Sequence, residues 1–201
     1  ADPLPYTYTH TDLVGTDSIS GTLGRVAGED VNTYAYTFGT LDAGANYTLV
    51  MASSPATFSI TAKPITVTAD VGQSKVFGAA DPTFTYTSSD LAATFTGALD
   101  RVAGTDVGKY AIRQGTLAVV GSNYSMSFVS NDFTITAKPI TVSADAGQSK
   151  VFGAVDPTFT YTSSDPAATF TGALDREPGV NVGAYAIGQG TLTAGTNYTI
   201  T

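Results

Sequence analysis

Lys63-Pro64-Ile65-Thr66-Val67-Thr68-Ala69-Asp70 is the stretch that decides the fold. Ile65, Val67 and Ala69 alternate with Thr66 and Thr68, the period of two that sends side chains to opposite faces of a strand. The same text returns 75 residues later as Lys138-Pro139-Ile140-Thr141-Val142. Pairing 63–117 with 138–192 gives 55 positions, of which ten differ. A third, more diverged copy opens the chain: Gly24-Arg25-Val26-Ala27-Gly28 answers Asp100-Arg101-Val102-Ala103-Gly104 and Asp175-Arg176-Glu177-Pro178-Gly179. Repetition on this scale sets the architecture before anything else does. Repeat 1 covers 1–62, repeat 2 covers 63–137 and repeat 3 covers 138–201. Repeat 2 is complete. Repeat 1 lacks counterparts of 63–79, and repeat 3 lacks those of Phe128 to Ala137, so the chain reads as a window on a longer array.

Alternation continues through each repeat. Phe84 and Tyr86, Phe95, Tyr110 and Ile112, Tyr124, Met126 and Phe128, then Phe133 and Ile135 are each spaced by polar residues. Gly, Asn, Asp and Ser clusters punctuate these runs. About seven short strands per repeat are expected, in antiparallel sheets with one buried and one wet face. The class is all-β: tandem immunoglobulin-like β-sandwich repeats of about 75 residues, or alternatively β-grasp-like or single-layer β modules. The expected core of repeat 2 is Ile65, Val67, Val76, Phe84, Tyr86, Phe95, Leu99, Tyr110, Ile112, Leu117, Tyr124, Phe128, Phe133 and Ile135. One helical turn is a candidate near Leu91 to Ala93. Ala62-Lys63-Pro64 and Ala137-Lys138-Pro139 join neighbouring repeats with no flexible linker, which predicts an extended rod.

Composition narrows the function. Nine basic against seventeen acidic side chains give a net charge of −8. Binding a phosphate backbone needs clustered Lys and Arg, so no nucleic-acid partner is expected, and the charge argues equally against anchoring on an anionic membrane. No apolar run approaches a bilayer span. Zero Cys leaves no disulfide framework or thiolate metal site. The single histidine, His10, has no partner in the other repeats, and general acid–base catalysis needs one. An enzyme is therefore not expected.

Ile65–Asp70, Lys75–Gly78, Asp81-Pro82, Thr96–Arg101, Gly115–Leu117 and Phe133–Thr136, together with the Asn46-Tyr47-Thr48 triplet, resemble the MBG domain family of YGX type. The resemblance covers the whole chain. It implies tandem arrays in large bacterial surface or secreted proteins of adhesin type, hence an extracellular or cell-surface location and a stalk or adhesion role. It brings no catalytic residues. Phe77 and Phe152 stand where the family has the Tyr of its Tyr-Gly signature.

The positions that recur form the candidate structural motif. Arg25, Arg101 and Arg176 are expected to bond loop carbonyls or a nearby carboxylate. Asp81-Pro82 and Asp156-Pro157 are expected as turns. Asn46, Asn123 and Asn197 each head an Asn-X-Ser/Thr triplet and are expected to turn the chain into a strand. Glu29 and Asp30 are calcium-ligand candidates, but their counterparts become Thr105 and Asp106, then Val180 and Asn181. No metal, cofactor or catalytic residue is expected. Exposed Thr rows (Thr83, Thr85, Thr87, Thr94, Thr96) could offer hydroxyls to glycans. Expected partners are neighbouring repeats of the same longer chain, glycans or proteins of a host or surface, and self-association through open strand edges.

Overall fold

The computed structural model describes residues 2–201. Among them there is no helix. Repeat 1 contributes β1 (Gly24–Arg25), β2 (Asn32–Thr37) and β3 (Thr57–Ile60). Repeat 2 contributes β4 (Lys63–Ala69), β5 (Ser74–Val76), β6 (Tyr86–Ser88), β7 (Phe95–Thr96) and β8 (Asp100–Arg101). It continues with β9 (Gly108–Arg113), β10 (Ala118–Val119), β11 (Tyr124–Val129) and β12 (Asp132–Thr136). Repeat 3 adds β13 (Lys138–Ile140), β14 (Val142–Ala144), β15 (Tyr161–Ser163), β16 (Asp175–Arg176), β17 (Ile187–Gly188) and β18 (Tyr198–Ile200).

The chain groups into two compact units whose limits run through the repeats. One takes the residues up to Thr66 with Asp90–Phe95 and Val119–Ser127. The other takes Val67–Ser89, Thr96–Ala118 and Phe128–Thr201. The first holds the antiparallel sheet β1-β2-β3, with Tyr34 opposite Phe58. Tyr6 closes that sheet, its ring edge-on to Tyr36 at 5.2 Å and to Phe58 at 5.7 Å.

The second unit is built on β12. Phe-Thr-Ile-Thr alternates as a strand should, and both apolar members are fully buried. β12 lies between β5, which it pairs in parallel (Ile135 to Lys75), and β9, which it pairs antiparallel (Phe133 to Tyr110). β8 completes the order β5-β12-β9-β8. Ile112, Leu117, Val67, Phe133 and Ile135 are the large side chains sealed from solvent. The Phe133 ring meets the Phe84 ring edge-on at 5.2 Å.

Several expectations are corrected here. The sheets are not all antiparallel: β5–β12 and β13–β18 are parallel pairs. Repeat 2 carries nine strands, because short two-residue pairings are added to the alternating runs. Leu91 is 92% exposed, and the segment after it is a turn. Asp90 makes that turn by accepting the Ala92 N–H at its carboxylate and the Ala93 N–H at its carbonyl. Val76 is not core but exposed. On β5 the inward side chain is Lys75, drawn in to the Asp81 carboxylate at 2.6 Å, so its neighbour Val76 points out. Phe84, Tyr86, Phe95, Tyr110, Tyr124 and Phe128 are half-buried rather than sealed.

Candidate functional site at the repeat junctions

Three layers of side chains, repeated in register, build one loop and then grip it. The first layer is the arginine on the strand after the Thr-Gly turn. Arg101 donates Nε and one terminal nitrogen to the two oxygens of Asp81, at 2.7 and 3.0 Å. Its other terminal nitrogen donates to the carbonyls of Val102 and Gly104, both at 2.9 Å. Arg25 repeats this with Asp2 and with the carbonyls of Val26 and Gly28. Arg176 bonds Asp156 at 3.1 Å and the Glu177 carbonyl at 2.8 Å. The planar fork of guanidinium suits such paired acceptors, and lysine would not replace it.

The second layer is aromatic. Arg25, Arg101 and Arg176 lie over Tyr34, Tyr110 and Tyr185, with centroid distances of 4.9, 5.0 and 4.9 Å. Arg25 and Arg101 also lie over Phe58 and Phe133. Each tyrosine ring sits against a glycine: a Cβ on Gly104 would fall 1.9 Å from Tyr110. The phenol hydroxyl then donates to the carbonyl two residues beyond that glycine, Asp30, Asp106 or Asn181, at 2.7–2.8 Å. The loop is thereby fixed in place by its own repeat.

The third layer comes from the next repeat. Asn123 accepts the Val31 N–H at 2.8 Å through its side-chain oxygen and donates its side-chain nitrogen to Asp30 at 2.7 Å. Its main-chain carbonyl accepts the Lys63 N–H at 2.9 Å. Asn197 does the same one repeat later, with Val107 at 2.9 Å, Asp106 at 2.9 Å and Lys138 at 2.9 Å. Beside it, the Tyr198 ring meets Phe77 edge-on at 5.4 Å. Asn46 is exposed.

The structure therefore gives the triplets headed by Asn123 and Asn197 a tertiary role that a turn reading does not contain. It also brings in Asp30, Val31, Asp106, Val107 and Phe77, none of which had been singled out as contacts. No constant spacing announces these contacts: the bonded residues lie 92 and 93 apart at the first junction and 90 and 91 at the second. Asp30 and Asp106, the calcium candidates, spend a carboxylate oxygen on the asparagine. Among the described residues no three of His, Asp and Glu come together as a metal cluster. His10 is exposed, and its Nδ1 lies 2.7 Å from the Thr11 carbonyl oxygen. Pro82 and Pro157 are exposed beside the aspartates that hold the arginines, and all five residues of the Thr rows are exposed. Gln73 was also missed: its side chain completes a strand edge, donating to the carbonyls of Asp70 and Thr85 and accepting the Thr85 N–H.

The aspartates carry an acid-sensitivity. Bonds from Arg101 and then Lys75 hold the Asp81 carboxyl down at about 2. Arg25 chiefly lowers Asp2, and Lys150 followed by Arg176 lowers Asp156. A carboxyl depressed in the folded state stabilises fully above its ordinary value of 3.8 and loses that contribution as pH falls through its folded value. Stability should thus be flat down to about pH 4 and decline toward pH 2. Asp81→Asn should remove part of that slope in acid-titrated unfolding; an unchanged slope would show that these pairs do not contribute.

No curated protein and no solved structure matches the chain significantly. The family model described as MBG domain (YGX type) matches it three times, at residues 1–59, 65–134 and 140–201. With nearly every residue inside one of these matches, the chain belongs to the MBG domain family of YGX type, as three tandem copies.

Proposed function

We propose that these repeats form a structural spacer, a stalk segment of a bacterial extracellular adhesin or surface protein. The observation that carries this reading is the junction: the same asparagine makes the same three bonds to the same three groups at both boundaries. A spacer has to hold its repeats in one orientation, and a fixed polar clasp plus a joint of one or two residues between strands suits that. The regular recurrence suits nearest-neighbour stabilisation of an extended array. Nothing catalytic is required of it.

Small-angle scattering of the chain in solution tests this reading. An elongated particle is expected, with the repeats following one another along its long axis. A compact particle, or a saturable glycan ligand whose binding is lost on replacing Thr83, Thr85 and Thr87, would favour a multivalent binding module instead.

The clasp itself is testable. Asn123→Ala removes two side-chain hydrogen bonds, worth about 1–3 kcal/mol together. Exchange of the Val31 amide should accelerate about tenfold or more, while the Val107 amide, held by Asn197, stays protected. Equal exchange at Val31 before and after the substitution would mean the clasp does not hold the junction.

A further inference from the structure

We propose that each repeat bears tension, through parallel strand pairs that a pull along the chain loads in shear. This rests on the stalk reading above, since a stalk anchored at one end and attached at the other is pulled along its chain. It gives the repeats a mechanical function that spacing alone does not require. The pairings that run parallel, β5–β12 and β13–β18, each join a strand near the start of its repeat to one near its end. The first strand of repeat 2 follows the same rule. Lys63 N–H donates to the Asn123 carbonyl at 2.9 Å, and the Ser127 hydroxyl donates to the Ile65 carbonyl at 3.1 Å. These two segments rise together along the chain, as Lys138–Ile140 and Tyr198–Ile200 do.

Strand direction decides how such a pair fails. Tension enters repeat 2 at Lys63 and leaves it at Thr136, the residues next to the joints with its neighbours. It draws β5 toward its own start and β12 toward its own end. In a parallel pair those pulls slide one strand along the other, so all the bonds between them stretch together and break together. An antiparallel hairpin pulled at its two free ends opens one rung at a time. Parallel pairing needs a long crossover and is slightly the weaker per residue. Its placement between the entering and leaving strands has a use under load that it lacks at rest.

The clamp is reinforced where it would slide. Thr134 lies opposite Ser74, and Thr136 opposite Val76. This ladder is bracketed by Thr134 N–H to the Gln73 carbonyl at 3.0 Å and Phe77 N–H to the Thr136 carbonyl at 2.8 Å. Each time, a hydroxyl on the later strand adds a bond to a carbonyl of the earlier one: Thr136 to Lys75, Ser127 to Ile65 and Thr201 to Ile140, at 3.1–3.3 Å. Lys75 also ties β5 to Asp81. Phe133 and Ile135 are sealed on the inner face of β12. A one-residue slip would turn them out and Thr134 in, so burial opposes sliding as well.

The chain has no cysteine, so two introduced thiols can carry the handles for single-molecule pulling of the whole 201-residue chain. Ala62→Cys with Ala137→Cys loads repeat 2 through its joints and shears its parallel pairs. Ala79→Cys with Ala137→Cys pulls on the ends of β5 and β12 that lie side by side, just past the pair Val76–Thr136, so the same bonds peel apart in turn. Rupture of repeat 2 is expected at several-fold higher force in the first geometry. Thr134→Pro removes the N–H that bonds Gln73, and Phe95→Ala removes apolar burial outside the clamp. Both should lower the urea midpoint. Forced unfolding follows the unfolding rate rather than equilibrium stability, so the force across 62 and 137 should fall with Thr134→Pro and change little with Phe95→Ala. Equal forces in the two geometries would overturn the proposal, as would a force that falls as far with Phe95→Ala as with Thr134→Pro. If scattering shows an elongated particle while both geometries rupture alike, the spacer reading stands and the tension-bearing one fails.

Discussion

Phe133→Ala should destabilise the chain by about 3–5 kcal/mol, the range for deleting a fully buried phenyl ring. Phe133 is completely sealed. Its ring touches Phe84 edge-on and underlies the Arg101 guanidinium, so the deletion opens a cavity next to a buried cation. The effect should reach two sheet neighbours, since β12 pairs both β5 and β9. Phe95 makes the comparison. It is half-buried, so Phe95→Ala should cost roughly half as much. Urea unfolding of the two variants separates them. Equal midpoints would show that β12 does not organise its sheet.

Gly97→Val should cost about 2–6 kcal/mol, the sum of backbone strain of about 1–3 and a steric clash of about 1–3. Gly97 has φ of +80°, and a Cβ there would fall 2.1 Å from the Thr116 carbonyl oxygen. The main chain opposite cannot move aside as a side-chain tip would. Gly21 and Gly172 have the same φ and meet the carbonyls of Thr40 and Thr191 at the same range. Gly72 is the control: its φ is +79°, but no atom lies within 4 Å of its Cβ position. Gly72→Ala should therefore pay the strain alone, about 1–3 kcal/mol. Thermal unfolding of both variants reads the difference, and a Gly97→Val chain as stable as Gly72→Ala would remove the clash from the account.

The strand period was legible because alternation is a local property: Ile65, Val67 and Ala69 announce a strand wherever they stand. Repeat copy number was legible for the same reason. What was not legible depends on pairing. Parallel partnership of β5 and β12 brings together residues about 60 apart, and nothing in Ser74–Val76 alone specifies it. Val76 illustrates this. Alternation admits two phases on a three-residue strand, and the Lys75–Asp81 ion pair selects the one that turns Val76 outward. The arginine motif was partly visible, since a constant Arg amid changing neighbours needs a constant acceptor, and Asp2, Asp81 and Asp156 supply it. The asparagine clasp was not visible, because each Asn acts on a loop about 90 residues earlier, and its local triplet suggests only a turn.

That clasp has a consequence for how such a chain can change over generations. Every repeat carries both halves of the joint: an asparagine near its end (Asn46, Asn123, Asn197) and a receiving loop at its middle (Asp30-Val31, Asp106-Val107, Asn181-Val182). The contact joins unlike surfaces, the asparagine of one repeat and the loop of the repeat before it. Unequal recombination between copies that match at 45 of 55 aligned positions (55 less the ten that differ) would add or delete whole 75-residue blocks. Each new boundary would again place an asparagine on a loop of the same shape. Asn181, in the place of Asp106, still presents a side-chain oxygen to such a donor. Copy number can therefore drift under selection for reach, while no interface has to be invented anew.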